Sequence, residues 1–161
     1  MSQEHQYKTH LSWTGNKGSG TSNYKAYDRN YDIIIEGKTT LSGSSDPAFR
    51  GDPTRHNPED LLLASISSCH MLWYLHLCSI SKIVVVDYQD TSAAIMTMNS
   101  DGGGQFSAAT LNPIATITEG SDKEKAIQLH HEANKLCFIA RSVNFPVHHK
   151  PQIKIEIKPK T

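Results

Sequence analysis

An α+β fold with mostly antiparallel pairing is what this 161-residue sequence predicts, and three features carry the prediction. Two segments with strand character precede a long apolar stretch from Leu61 to Ile80. A pair of strands joined by a glycine run then separates that stretch from a second, amphipathic helix. The chain closes with the period-two alternation of QIKIEIKPK, Gln152 to Lys160. Strands, a buried helix, a hairpin, another helix and a final strand make a single domain over residues 1–161.

Each element has a local reason. EHQYKTHLSWT, Glu4 to Thr14, reads as a first strand. GNKGSGTSNY, Gly15 to Tyr24, is a turn-rich connection and not a phosphate-binding loop, because no Gly-Lys-Ser/Thr end leads into a helix. NYDIIIEGK, from Asn30, is a second strand with β-branched residues, and TLSGSSDPAFRGDPTRH, Thr40 to His56, is a loop. Asn57 then offers an N-cap, Pro58 the first helical position, and Glu59 and Asp60 suit the positive end of a helix. From Leu61 to Ile80 apolar residues surround the axis, so this helix is expected to be buried on most sides. One small sheet cannot cover such a helix, and a second copy of the chain is the simplest source of cover.

SKIVVVDYQDTSAAIMTMN, Ser81 to Asn99, reads as one long strand bent near Asp87 or Asp90. SDGGG is a hairpin tip, and QFSAATLNPIATITEG is the returning strand. Ser121 to Glu124 (SDKE) has the form of a capping box. The helix after it places Ala126, Leu129, Ala133, Leu136, Cys137 and Ala140 on one face, and NFPVHHKP, Asn144 to Pro151, breaks it.

Composition excludes some functions. Sixteen basic residues balance sixteen acidic ones, which leaves no electrostatic footprint for nucleic acid or an anionic membrane. A hydrophobic share of 37% and a mean hydropathy of −0.46 suit a soluble globular chain. MSQEHQYKTH lacks the apolar run of a signal peptide, and Lys82 and Asp87 close the long apolar segment before it reads as a membrane span. A cytosolic location is therefore expected. Three cysteines in a reducing compartment are free thiols, metal ligands or redox groups, not a disulfide framework.

Cys69 stands in the middle of the most apolar segment. A buried cysteine is ordinarily a small apolar residue. A reactive one must be a thiolate, which needs positive surroundings. The helix dipole fades within the first turn and Cys69 is about three turns in, so activation must come from another side chain. The arginines are Arg29, Arg50, Arg55 and Arg141, and a buried guanidinium would need an acid such as Glu59. Cys137, on the apolar face of the second helix, meets Cys69 if the two helices pack together, with Arg141 one turn further along. Cys78 points to the other side of the first helix and is read as packing.

NPEDLLLASISSCH (Asn57 to His70), HHEANKLCFIARSVNFPV (His130 to Val147) and WTGNKGSGTSNYKAYDRNYDI (Trp13 to Ile33), in this chain order, resemble the OsmC/Ohr family of hydroperoxide-reducing proteins. Around Cys137 the sequence has Cys-Phe-Ile-Ala where well-studied members have Cys-Pro. Arg29 falls where the family keeps its activating arginine, in YDRNYDI and not in a Gly-Gly-Arg form. The resemblance implies the OsmC-like fold, antiparallel sheets wrapped around two central helices in an intertwined homodimer. It implies a thiol peroxidase with no metal or organic cofactor. Cys69 would be oxidised to a sulfenic acid, Cys137 would form a disulfide with it, and a dihydrolipoyl-type dithiol would restore both. It further implies that Arg29 holds Cys69 as thiolate and that Glu59 orients Arg29 through an ion pair. Apolar neighbours such as Leu72 and Trp73 suit organic hydroperoxides, with hydrogen peroxide the alternative substrate that the sequence does not rank against them.

Two other readings have sequence support. A non-enzymatic binding protein of the same fold would hold a small apolar ligand in the dimer-interface pocket beside inert thiols. Nine histidines include the adjacent pairs His130-His131 and His148-His149. Neighbours on a helix point about 100° apart, so each pair offers one metal ligand more easily than two. No Cys-x-x-Cys or His-x-x-x-His spacing organises a zinc site, and no metal role is expected. His70 and His76 are read as hydrogen-bonded core or interface histidines.

Overall fold

The computed structural model describes residues 4–157, and the chain forms two compact units, Met1–Leu62 and Leu63–Thr161. The first contains an antiparallel sheet of β1 (His10–Trp13), β2 (Tyr31–Ile34) and β3 (Leu41–Gly43). β1 is a short piece of the strand expected over Glu4 to Thr14. β3 lies in the stretch expected to be loop. Its register sets Tyr31 opposite Gly43, where the tyrosine ring occupies the space of a side chain: a Cβ on Gly43 would fall 2.2 Å from the ring. A residue with a side chain at position 43 would displace that ring, so the glycine belongs to the strand and does not mark its end.

The loop after β3 is built from polar side chains. Ser44 is fully buried, and its hydroxyl accepts the Asp52 N–H at 3.0 Å. Asp46 caps a 3-10 turn at Pro47–Phe49 through the Ala48 N–H. Helix α1 (Pro58–Ile80) follows, with Asn57 Oδ1 accepting the Asp60 N–H at 2.7 Å, so the expected N-terminus is the observed one.

The end of α1 is equally well defined. The Ile83 N–H reaches back to the Cys78 carbonyl and the Lys82 N–H to that of Ser79, with Lys82 at φ 60°. This is a Schellman-type stop with a lysine where glycine is usual, closed by buried Ile83 against Cys78. By length and composition α1 is apolar enough to cross a bilayer, contrary to the expectation that no stretch is. Ile66, His70, Tyr74 and Cys78, one turn apart along one face, are nevertheless buried in protein.

In the second unit the two long expected strands are each broken once, at the same level. The first divides into β4 (Val85–Asp90) and β5 (Ala93–Met98), the second into β6 (Gly104–Leu111) and β7 (Pro113–Ile117). Pro113 cannot donate to a ladder, and Asp90 supplies what the ladder loses. Its carboxylate accepts the Asn112 N–H at 2.7 Å and the hydroxyls of Ser92 and, from α1, Ser67. The two halves of the hairpin can therefore join different sheets, β4-β7-β9 and β5-β6-β8.

Helix α2 (Lys123–Leu136) is capped by Asp122, whose Oδ1 accepts the Lys125 N–H, one residue later than the expected Ser121 cap. Ser121 instead accepts from the Val84 N–H and contacts Thr118. β8 (Val147–His149) and β9 (Gln152–Ile155) follow α2 and pair in parallel with β6 and β7. The sheets of this unit are thus mixed, because α2 acts as the crossover that parallel neighbours require. β8 lies in a segment expected to be irregular; Lys158 to Lys160, part of the expected last strand, lie outside the described residues. The core joins Tyr74 and Cys78 of α1, Ala126, Leu129 and Ala133 of α2, and Ala115, Ile117 and Ile153 of the β4-β7-β9 sheet.

Candidate active site

Cys69 sits half-buried at mid-helix in α1. Cys137 is the C-cap residue of α2, fully buried, with its own N–H bonded to the Ala133 carbonyl. Leaving the helix there turns the backbone to an extended conformation (φ −61°, ψ 113°) and directs the thiol at α1. Its Sγ lies 4.0 Å from the carbonyl oxygen of Ile66, one turn before Cys69, and accepts the Ala140 N–H at 3.4 Å. Phe138 meets Trp73 edge-to-face at 5.4 Å, one turn after Cys69. The helices are therefore apposed on both sides of Cys69, and its side chain is a hydrogen-bonding neighbour of Cys137, both as free thiols.

Burial sets the protonation of Cys137. Burial pushes Cys137 up to about 11, and the neighbouring Cys69 thiol adds to the rise; the Ala140 and Ile139 N–H groups oppose it without reversing it. Cys137 is thus a neutral thiol near neutral pH. Cys78 is also raised by burial, beside Tyr74, and lies away from this pair in the core.

An open apolar pocket of about 280 Å³ is lined by Leu72, Trp73 and His76, in the turns of α1 after Cys69, and by Phe138, next to Cys137 in the chain. Leu72 and Phe138 are each 65% exposed or nearly so, a large apolar surface for one chain to leave uncovered. Arg141, expected on the same side as Cys137, falls in a 3-10 turn (Ala140–Ser142) and is exposed.

Within the first unit, the Arg29 guanidinium donates to the carbonyls of Tyr27 (2.6 Å) and Tyr24 (2.8 Å) and lies over both rings at 4.2 and 4.3 Å. Glu59 keeps a buried carboxylate oxygen with no hydrogen-bond partner, and its charge helps to raise the Tyr31 hydroxyl, after burial. Among the described residues no ion pair joins Arg29 to Glu59; Arg55 pairs instead with Asp32 and Asp52.

Histidines form a feature that sequence reasoning underrated. His70 and His130 are fully buried and hydrogen-bonded at 3.0 Å, and Tyr74 stacks on His130 at 3.6 Å. Burial, then His149, lowers His70 to about 4, with Asp90 opposing; burial, then His70, lowers His130 to about 3. Period-3.6 spacing on α2 put His130 beside Leu129 and Ala133, and that was the available signal.

The OsmC-like protein family model matches residues 51–152, the stretch that carries both thiols. This chain belongs to the OsmC-like family. No protein of curated function matches it in sequence. Among solved structures, an OsmC-like protein of unknown function from Vibrio cholerae is 24% identical over 92% of this chain and 99% of its own, with a TM-score of 0.83. The organic hydroperoxide resistance protein OsmC from Legionella pneumophila is 19% identical over 94% and 99%, with a TM-score of 0.66. The organic hydroperoxide resistance protein OhrB of Bacillus subtilis is 21% identical over 92% and 98%, with a TM-score of 0.60. At these identities the likeness establishes the OsmC-like fold.

Proposed function

We propose that this OsmC-like protein is a cytosolic thiol peroxidase that reduces organic hydroperoxides. The observation that carries the reading is that the free thiols of Cys69 and Cys137 are side-chain neighbours, one from the middle of a helix and the other from the cap of the next. Their environments support the division of roles. Cys69 is accessible, whereas Cys137 is buried and holds its proton. The Cys69 thiolate attacks the terminal hydroperoxide oxygen, the O–O bond breaks, and the alkoxide leaves as alcohol after taking a proton. The resulting sulfenic acid condenses with Cys137, losing its hydroxyl as water and forming the disulfide. An external dithiol of dihydrolipoyl type returns two electrons and two protons by thiol–disulfide exchange.

The cation this chemistry needs is assigned to Arg29, with Glu59 as its carboxylate partner. The buried, unpaired Glu59 oxygen supports that assignment, since such a group calls for a positive neighbour. The apolar pocket at Leu72, Trp73 and Phe138 supports an organic substrate, and the exposed apolar residues Leu72, Ile80 and Phe138 support a homodimer. No metal or organic cofactor enters the reaction as proposed.

The test is a thiol count on the reduced protein after one equivalent of tert-butyl hydroperoxide. Two of the three thiols should be lost, and none should change in a Cys69→Ser variant. Survival of all three thiols in the parent would leave the binding-protein reading, with an apolar ligand in the same pocket.

A further inference from the structure

His131 of α2 and His149 of β8 face each other with Nδ1 and Nε2 atoms 2.8 Å apart. Each is one member of an adjacent pair; of the other two, His130 turns inward to His70 and His148 is exposed. His149 is fixed by β8, which pairs it with Leu111 of β6, and its ring lies 5.8 Å from that of His70. His131 is exposed, so the space between the two nitrogens is reached from solvent.

Two neutral imidazoles at this distance share an N–H···N hydrogen bond. The separation also has a meaning in coordination geometry. With metal–nitrogen bonds of about 2.0 Å, ligands at a right angle lie about 2.8 Å apart, and tetrahedral ligands about 3.3 Å. We propose that His131 Nδ1 and His149 Nε2 are the protein ligands of an open transition-metal site for Ni²⁺ or Cu²⁺, ions that favour right-angled coordination by imidazole. Water fills the remaining positions, because among the described residues no three His, Cys, Asp or Glu side chains converge on one point. An ion here replaces the hydrogen bond between the rings, and the proton of that bond moves to the other nitrogen of its own ring, so that both imidazoles bind as neutral ligands.

The site uses neither Cys69 nor Cys137, so it stands or falls separately from the peroxidase reading. Ni²⁺ is the probe, since it does not oxidise the thiols. Calorimetric titration of the reduced protein should show one Ni²⁺ per chain without thiolate-to-nickel absorption. Affinity should fall by about tenfold or more in His131→Ala and in His149→Ala, and stay unchanged in His148→Ala. His131 is exposed, so its variant keeps the fold, which circular dichroism verifies. Absence of saturable binding in the parent would mean a hydrogen bond only and would overturn the proposal. Binding that survives in both variants, or that carries thiolate absorption, would place the ion elsewhere and overturn it equally.

Discussion

Acid should weaken this protein in a window set by histidines before its carboxylates are protonated. His70 and His130 are buried and held at about 4 and about 3, below an unfolded value near 6.5. Between those limits the unfolded chain binds protons that the folded chain refuses, so stability rises with pH there. The contribution is complete above about pH 6.5 and is lost progressively as pH falls toward the folded values. Each histidine contributes a slope of up to about 1.4 kcal/mol per pH unit, so the pair removes at most roughly 4 kcal/mol between pH 6.5 and 5. His149, also lowered, acts in the same direction. That is a large part of the roughly 5–15 kcal/mol typical of a folded protein. Urea unfolding at fixed protein concentration and several pH values measures the slope. His130→Gln should lose about half of it, whatever its absolute stability. A stability that is flat from pH 7 to 5 would refute the buried neutral pair.

Four further substitutions probe other parts of the structure. Lys82→Gly should be neutral or stabilising by up to about 1 kcal/mol in thermal unfolding, because it relieves a left-handed residue at the end of α1. Asp90→Ala should destabilise by about 2–4 kcal/mol in urea, since it strips partners from Asn112, Ser92 and Ser67 at once. In a peroxidase assay Cys69→Ser should be inactive while Cys78→Ser behaves as the parent. Equal loss in both would separate activity from the Cys69–Cys137 pair.

The helix signals were legible because they are local. Asn57-Pro58 and the apolar run fixed α1 to the residue, and the pattern after Ser121 found the start of α2 to within one residue, whereas the helix ends at Leu136 and not, as expected, at Asn144. What failed to show was tertiary. The bend of the first long strand near Asp90 was legible, but not that both strands break there, at Thr91–Ser92 and Asn112, which depends on Asp90 holding partners more than twenty residues away. β8 is three residues long and exists only through its pairing with β6. For the candidate site, the sequence named both thiols but placed Cys137 on a helix face; the structure makes it a cap, and that turn is what aims the sulfur. The Arg29–Glu59 pairing came from the family resemblance, and the contacts of these residues in the first unit could not be read from their spacing. The histidines were weighed as separate pairs, whereas the fold joins one member of each.

The central claim is that Cys69 and Cys137 react with one another. Non-reducing peptide mass mapping after a stoichiometric dose of hydroperoxide tests it most directly. The account predicts a linked pair of peptides, one from α1 carrying Cys69 and one from the end of α2 carrying Cys137, with Cys78 still free. A Cys69 oxidised without that link, or a link through Cys78, would contradict it.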